Sequence, residues 1–116
     1  MAKRVAIVGS GQTNHTGNRS DVNGPELINE AVNRALEDTG LKRKDIDGVL
    51  IGNMDHFEGV NGVELWSIDG NGGLMKPTIK MTTGGTTGST LAIGGYHLVA
   101  SGHFDRLLVI GWEKNS

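Results

Sequence analysis

Short apolar runs recur along this chain, and stretches with helical spacing lie between them. Residues 5–8 (Val-Ala-Ile-Val) are continuously apolar and rich in β-branched side chains, and Gly9, Ser10 and Gly11 close the run. A strand buried on both faces reads this way. Residues 12–23 are polar and rich in Asn, Thr and Gly, which predicts a loop. A helix then opens with Asn23 and Gly24 near its cap, Pro25 at the first helical position and Glu26 in the first turn. Leu27, Ile28, Ala31, Val32, Ala35 and Leu36 fall on one face of that helix. Glu30 and Arg34 sit four apart on its outer face, and Gly40 supplies a left-handed end.

After a charged connector over residues 42–47, residues 48–54 carry Val49, Leu50 and Ile51 and predict a second buried strand. Residues 53–73 are harder to read and hold at most a short helix around 63–68. Residues 78–82 predict a short strand. A glycine and threonine turn over residues 83–89 leads into a helix from about Thr87 to Ser101, stopped by Gly102. That helix is apolar nearly all round, which predicts a place inside a larger body. Residues 107–110 form a last predicted strand. Strands alternating with helices imply an α/β fold, a mainly parallel sheet with helices packed on it and right-handed crossovers.

Composition narrows the chemistry. The 116 residues give room for one domain or part of a larger one. A formal net charge of −2 gives no reason to expect nucleic acid or an anionic membrane as partner. No stretch approaches the roughly 20 apolar residues of a membrane span, and the apolar run at the start is too short for a signal peptide. The expectation is a cytoplasmic protein. There is no cysteine, which excludes disulfides, thiolate metal sites and a cysteine nucleophile together. Glycine reaches 19 residues, so tight turns and close backbone approaches are expected.

Each candidate motif has a bland reading beside the functional one. Gly9 and Gly11 begin like a dinucleotide fingerprint, but Asn14 stands at the third glycine and a loop follows where a helix is needed. The turn made by Gly84, Gly85, Thr86, Thr87 and Gly88 lacks the lysine of a phosphate loop. Amides exposed where a helix starts can still hold a carbonyl or a developing oxyanion. The same glycines also serve a tight strand-to-helix corner, and local chemistry leaves both readings open. Asp55, His56 and Glu58 group metal-binding or acid/base side chains, yet His15, His97 and His103 add no useful spacing, and a polar loop is expected. His97 lies mid-helix and reads as packed or solvated. Trp66 and Trp112 read as core or interface residues.

The order of these pieces resembles the start of the thiolase superfamily, nearest to acetyl-CoA acetyltransferases and sterol-carrier-type thiolases. The resemblance lies in residues 4–13, in 25–40, in 46–53 and above all in Val99 to Asp105 running into Leu108 to Lys114. It implies that residues 1–116 are a partial thiolase-like N-terminal domain, about the first third of such a protein. It also implies a coenzyme A thioester as substrate, no permanently bound cofactor and no metal. Expected partners are a second copy of the chain or a thiolase-associated subunit. The family's nucleophile is a cysteine at the start of the buried helix, and counting back from Ala100 puts that position on Gly85. Glycine has nothing to acylate, so cysteine-based thiolysis is not expected of this chain. Thr86 or Thr87 could replace it only with an adjacent base, and none is evident. The family's histidine and second cysteine fall beyond the stretch compared. Some thiolase-like proteins without the cysteine resemble steroid side-chain aldolases, which cleave carbon–carbon bonds. The implied roles are therefore an acyl-CoA acyltransferase or carbon–carbon lyase portion, or else a non-catalytic scaffold. The catalytic reading expects the Gly85 turn to open on a concave cleft.

Overall fold

The computed structural model describes residues 3–55 and 61–114. Helix α1 spans Gly24–Thr39, and local chemistry accounts for both of its ends. The Asn23 side chain accepts from the Glu26 amide at 2.8 Å while the Glu26 carboxylate accepts from the Asn23 amide at 3.0 Å. This reciprocal cap satisfies donors that the first turn would otherwise leave bare. At the other end Gly40 takes φ 74°, a left-handed conformation that costs glycine little, and its N–H reaches the Leu36 carbonyl.

Among the described residues the sheet has three parallel strands: β1 (Gly48–Gly52), β2 (Thr78–Lys80) and β3 (Leu107–Gly111). Their order is β2-β1-β3, with Leu50 paired to Ile79 on one side and to Val109 on the other. Every residue of β1 is buried, because strands flank it and helices cover both its faces. On one face, α1 and two short helices, α2 (Val63–Trp66) and α3 (Ile68–Asn71), lie against the sheet. Ile28, Val32, Val49, Ile51, Val63, Ile110 and Trp112 form the core there. Burying a side chain the size of Ile28 stabilises the fold by roughly 1.5–3 kcal/mol.

Helix α4 (Thr87–Ala100) covers the other face. It comes close because Gly94 and Gly95 present no side chains there: a Cβ at Gly94 would stand 2.5 Å from the Met81 sulfur, and one at Gly95 2.9 Å from a Val109 methyl. Only this inner side is buried. Ile93 is 60% exposed and Tyr96 is half exposed, so the all-apolar helix is not enclosed by the residues described.

The N-terminal run departs from its predicted strand. Residues 5–8 form no strand, and Ile7 is 93% exposed. The segment is held by other means: the Lys3 amide donates to the Ala100 carbonyl at 3.0 Å, and its ammonium pairs with Asp105. Gly11 then lies flat on α1, where a Cβ would be 2.2 Å from the Ala35 nitrogen. The glycines of the apparent dinucleotide motif thus serve close packing against a helix. Residues 5–8 pair with none of the three strands, and β-propensity without a hydrogen-bonded partner makes no strand.

Candidate functional site

The glycine turn sits at the carboxyl end of the sheet, where ligands of open parallel α/β sheets commonly bind. After β2 the Met81 amide still bonds the Ile51 carbonyl, and the Thr82 hydroxyl donates to the Asn53 carbonyl at 2.5 Å. The turn is therefore anchored to the end of β1. A single 3₁₀ turn over Gly84–Thr86 follows, with Gly84 at φ 63°, and runs directly into α4.

Threonine hydroxyls hold this corner together, and their proton directions can be assigned. Thr86 donates to the Thr83 carbonyl at 3.0 Å, so the Thr83 hydroxyl must supply the proton of its 2.9 Å contact with Thr86. Thr90 in turn donates to Thr83 at 2.6 Å. Thr87 donates to the Gly84 carbonyl at 2.7 Å and accepts the Thr83 amide at 3.0 Å. Each of these protons is committed inside the turn. Thr86 and Thr87 contact no carboxylate or histidine among the described residues, so neither is poised as a nucleophile. They are its framework.

What the turn presents outward is main chain. Among the described residues the Gly84 and Gly85 amides have no hydrogen-bond partner. The N-cap residue of α4, Thr86, makes no side-chain cap because its hydroxyl is turned back on Thr83. A Cβ added at Gly84, Gly85 or Gly88 would meet nothing within 4 Å. The ground before the turn is open, and the partial positive charge of a helix start faces it.

The other predicted groups do not join this turn. Asp55, at φ 64°, is paired through both oxygens with the Lys80 ammonium at 2.6 and 2.8 Å. His56, Phe57 and Glu58 lie outside the described residues. Among the described residues no three His, Asp or Glu side chains converge as a metal would require. His97 is exposed and stacks edge-on with Tyr96.

A second feature was not foreseen. Residues 11–13, the start of α1 and the end of β3 enclose a cleft of about 170 Å³ that includes Trp112 and Glu113. The glycine turn does not line it. Asn53, 2% exposed just after β1, has both side-chain polar atoms without a partner among the described residues. Beside it the Trp112 indole nitrogen and one Glu113 oxygen are also buried and unpartnered, while the other Glu113 oxygen accepts the Met54 amide. The pattern was visible in part, since Gly52-Asn53 and Gly111-Trp112-Glu113 each place polar atoms directly after a buried strand. Their meeting was not, because nearly sixty residues separate them.

Comparison with known proteins bears on the whole chain. The family model described as thiolase, N-terminal domain, matches residues 5–116. The chain is also similar to an acetyl-CoA acetyltransferase of Methanothermobacter thermautotrophicus, at 30% identity over 112 residues. That match covers 95% of this chain and 29% of the relative, so the chain spans less than a third of the relative's length.

Proposed function

This chain belongs to the thiolase family, as its N-terminal domain, and from that premise we propose that the turn at Gly84–Gly88 receives the carbonyl oxygen of an acyl-CoA thioester. The observation that carries the reading is the pair of unpartnered amides at Gly84 and Gly85, on open ground at the start of α4. Amides held in place by surrounding hydrogen bonds need no reorganisation when negative charge develops on an oxygen before them. Such a turn polarises a thioester, and it stabilises the enolate left when a carbon–carbon bond beside the thioester breaks. Glycine at position 85 offers no side chain to take an acyl group, so this reading runs through main-chain amides and not through a thiol there. The reaction classes this leaves are acyl transfer to another acceptor and carbon–carbon cleavage.

The test is titration of the ¹⁵N-labelled chain with acetyl-CoA. Saturable shifts at the Gly84, Gly85 and Gly88 amides, larger than those from free coenzyme A, are expected. No shift at those amides beyond the free coenzyme's would remove the reading. A gain of function sharpens it. Gly85→Cys fits without a clash, and its thiolate would attack the thioester carbonyl, retain the acetyl group and release coenzyme A, which intact mass spectrometry detects.

A second reading, a non-catalytic subunit in a homodimer or with a thiolase-associated partner, rests on the exposed Ile93 and Tyr96 of α4 and on the outer edges of β2 and β3, unpaired among the described residues. A monomer by light scattering at micromolar concentration would dispose of it.

A further inference from the structure

Three asparagines of this chain, Asn23, Asn61 and Asn71, are followed directly by glycine, and the fold treats them differently. Asparagine is among the thermolabile residues. Its side chain is open to attack by the main-chain nitrogen of the next residue, and glycine hinders that attack least because it has no Cβ. At Asn71 the way is shut. Its side chain is fully buried, its amide donates to the Ser67 hydroxyl at 2.9 Å and its oxygen accepts the Gly73 amide at 2.7 Å. At Asn23 the side-chain oxygen is held by the Glu26 amide in the cap of α1. Gly24 beside it lies against the Trp66 ring, 3.1 Å from where a Cβ would stand. Asn61 has neither restraint. It is exposed just before α2, and its side chain has no hydrogen-bond partner among the described residues. The Gly62 N–H is equally unpartnered among them. Gly62 takes φ 83°, and a Cβ there would meet nothing within 4 Å, so a ring has room to close.

We infer that Asn61 is a site of spontaneous modification, converting to aspartate and isoaspartate with water as the co-reactant, while the fold protects Asn23 and Asn71. The Gly62 nitrogen gives its proton to solvent base, and its electron pair forms a bond to the Asn61 side-chain carbonyl carbon. The bond from that carbon to the side-chain nitrogen breaks, and ammonia leaves with a proton taken from water. Water then opens the cyclic imide at either carbonyl. The chain has gained a water and lost an ammonia, nothing is oxidised or reduced, and a carboxylate replaces a neutral amide just before α2.

The test incubates the whole chain at mildly alkaline pH, with and without urea. Cleavage after glutamate separates Asn61 from Asn71 at Glu64 and from Asn23 at Glu26, and mass spectrometry of the peptides reads the exchange of ammonia for water. A carboxyl methyltransferase specific for isoaspartate, supplied with labelled S-adenosylmethionine, reports the isoaspartate fraction. In the folded chain Asn61 is expected to convert first, at a rate that rises with pH. Asn23 should lag by roughly fivefold, the factor by which a helix cap holds its side chain. Asn71 should lag further, because it reacts only after local opening. In urea the three rates should draw together. Asn61→Gln alters a side chain that holds nothing among the described residues, so it should keep the fold and remove the first product to appear. Conversion at Asn23 or Asn71 as fast as at Asn61 in the folded chain would overturn the inference, and so would the folded ranking surviving unchanged in urea.

Discussion

Helices α1 and α4 cover opposite faces of one sheet and begin in opposite ways. Helix α1 is amphipathic, is closed by the reciprocal Asn23–Glu26 cap and buries Leu27, Ile28 and Val32, the last two in the main core. Helix α4 is apolar around most of its surface, has no side-chain cap and leaves Ile93 and Tyr96 to solvent. Both starts carry residues able to cap. Asn23 caps its own helix, whereas the Thr86 hydroxyl turns back to brace the turn before it. The lesson is one of allocation. At α1 polar side chains satisfy the backbone, and at α4 they are used to hold a loop whose amides stay available.

The widest separation between the two regions is expected in their large side chains. Ile28→Ala should lower stability by about 2–5 kcal/mol, while Ile93→Ala should stay within about 0.5 kcal/mol, both read from urea midpoints. Similar losses would mean that α4 is covered on its outer side in solution. The glycines come next. A Cβ at Gly52 would stand 2.1 Å from the Met81 carbonyl oxygen, so Gly52→Ala should cost about 1–3 kcal/mol. Gly85→Ala should be close to neutral, within about 0.5 kcal/mol. A large effect at Gly85 would mean that the turn is packed and not open.

Capping offers a finer contrast. Asn23→Ala should cost about 1 kcal/mol, and Thr86→Ala less, since its hydroxyl caps no helix; thermal melts of the two variants order them. The smallest effect belongs to Asp47, whose carboxylate accepts the Arg106 and Asp105 amides at 2.9 Å each. Those bonds, that of Arg106 first, hold its pKa below the ordinary aspartate value. Its contribution is therefore complete above the ordinary aspartate range and is lost as pH falls through the lowered value of the folded state. Asp47→Asn should therefore lower stability slightly at neutral pH and converge on the parent as pH falls, flattening the acid limb of a stability-versus-pH curve.

How far the chain could be read in advance depended on how local each signal was. Helix α1, its cap and its Gly40 terminus were legible because capping, period and left-handed glycine act within one or two turns. Strands β1 and β3 and helix α4 were legible from apolar runs bounded by turns, and the short strand β2 was placed just before the glycine turn that leads into α4. The run at residues 5–8 departs from its reading for a physical reason: a strand is a relation to a neighbour, and composition does not say whether a run meets a partner.

By itself, then, the sequence determined the α/β class, the order of elements, the thiolase likeness and the lack of any thiol at position 85. Only the tertiary structure decided that β1 lies between β2 and β3, and that threonine protons point inward while two amides stay bare. It alone brought Asn53, Met54, Trp112 and Glu113 together, though nearly sixty residues separate the two pairs. Periodicity and caps are written in bonds spanning a few residues. Register, proton direction and unpartnered burial arise only when distant segments compete for the same donors and the same space.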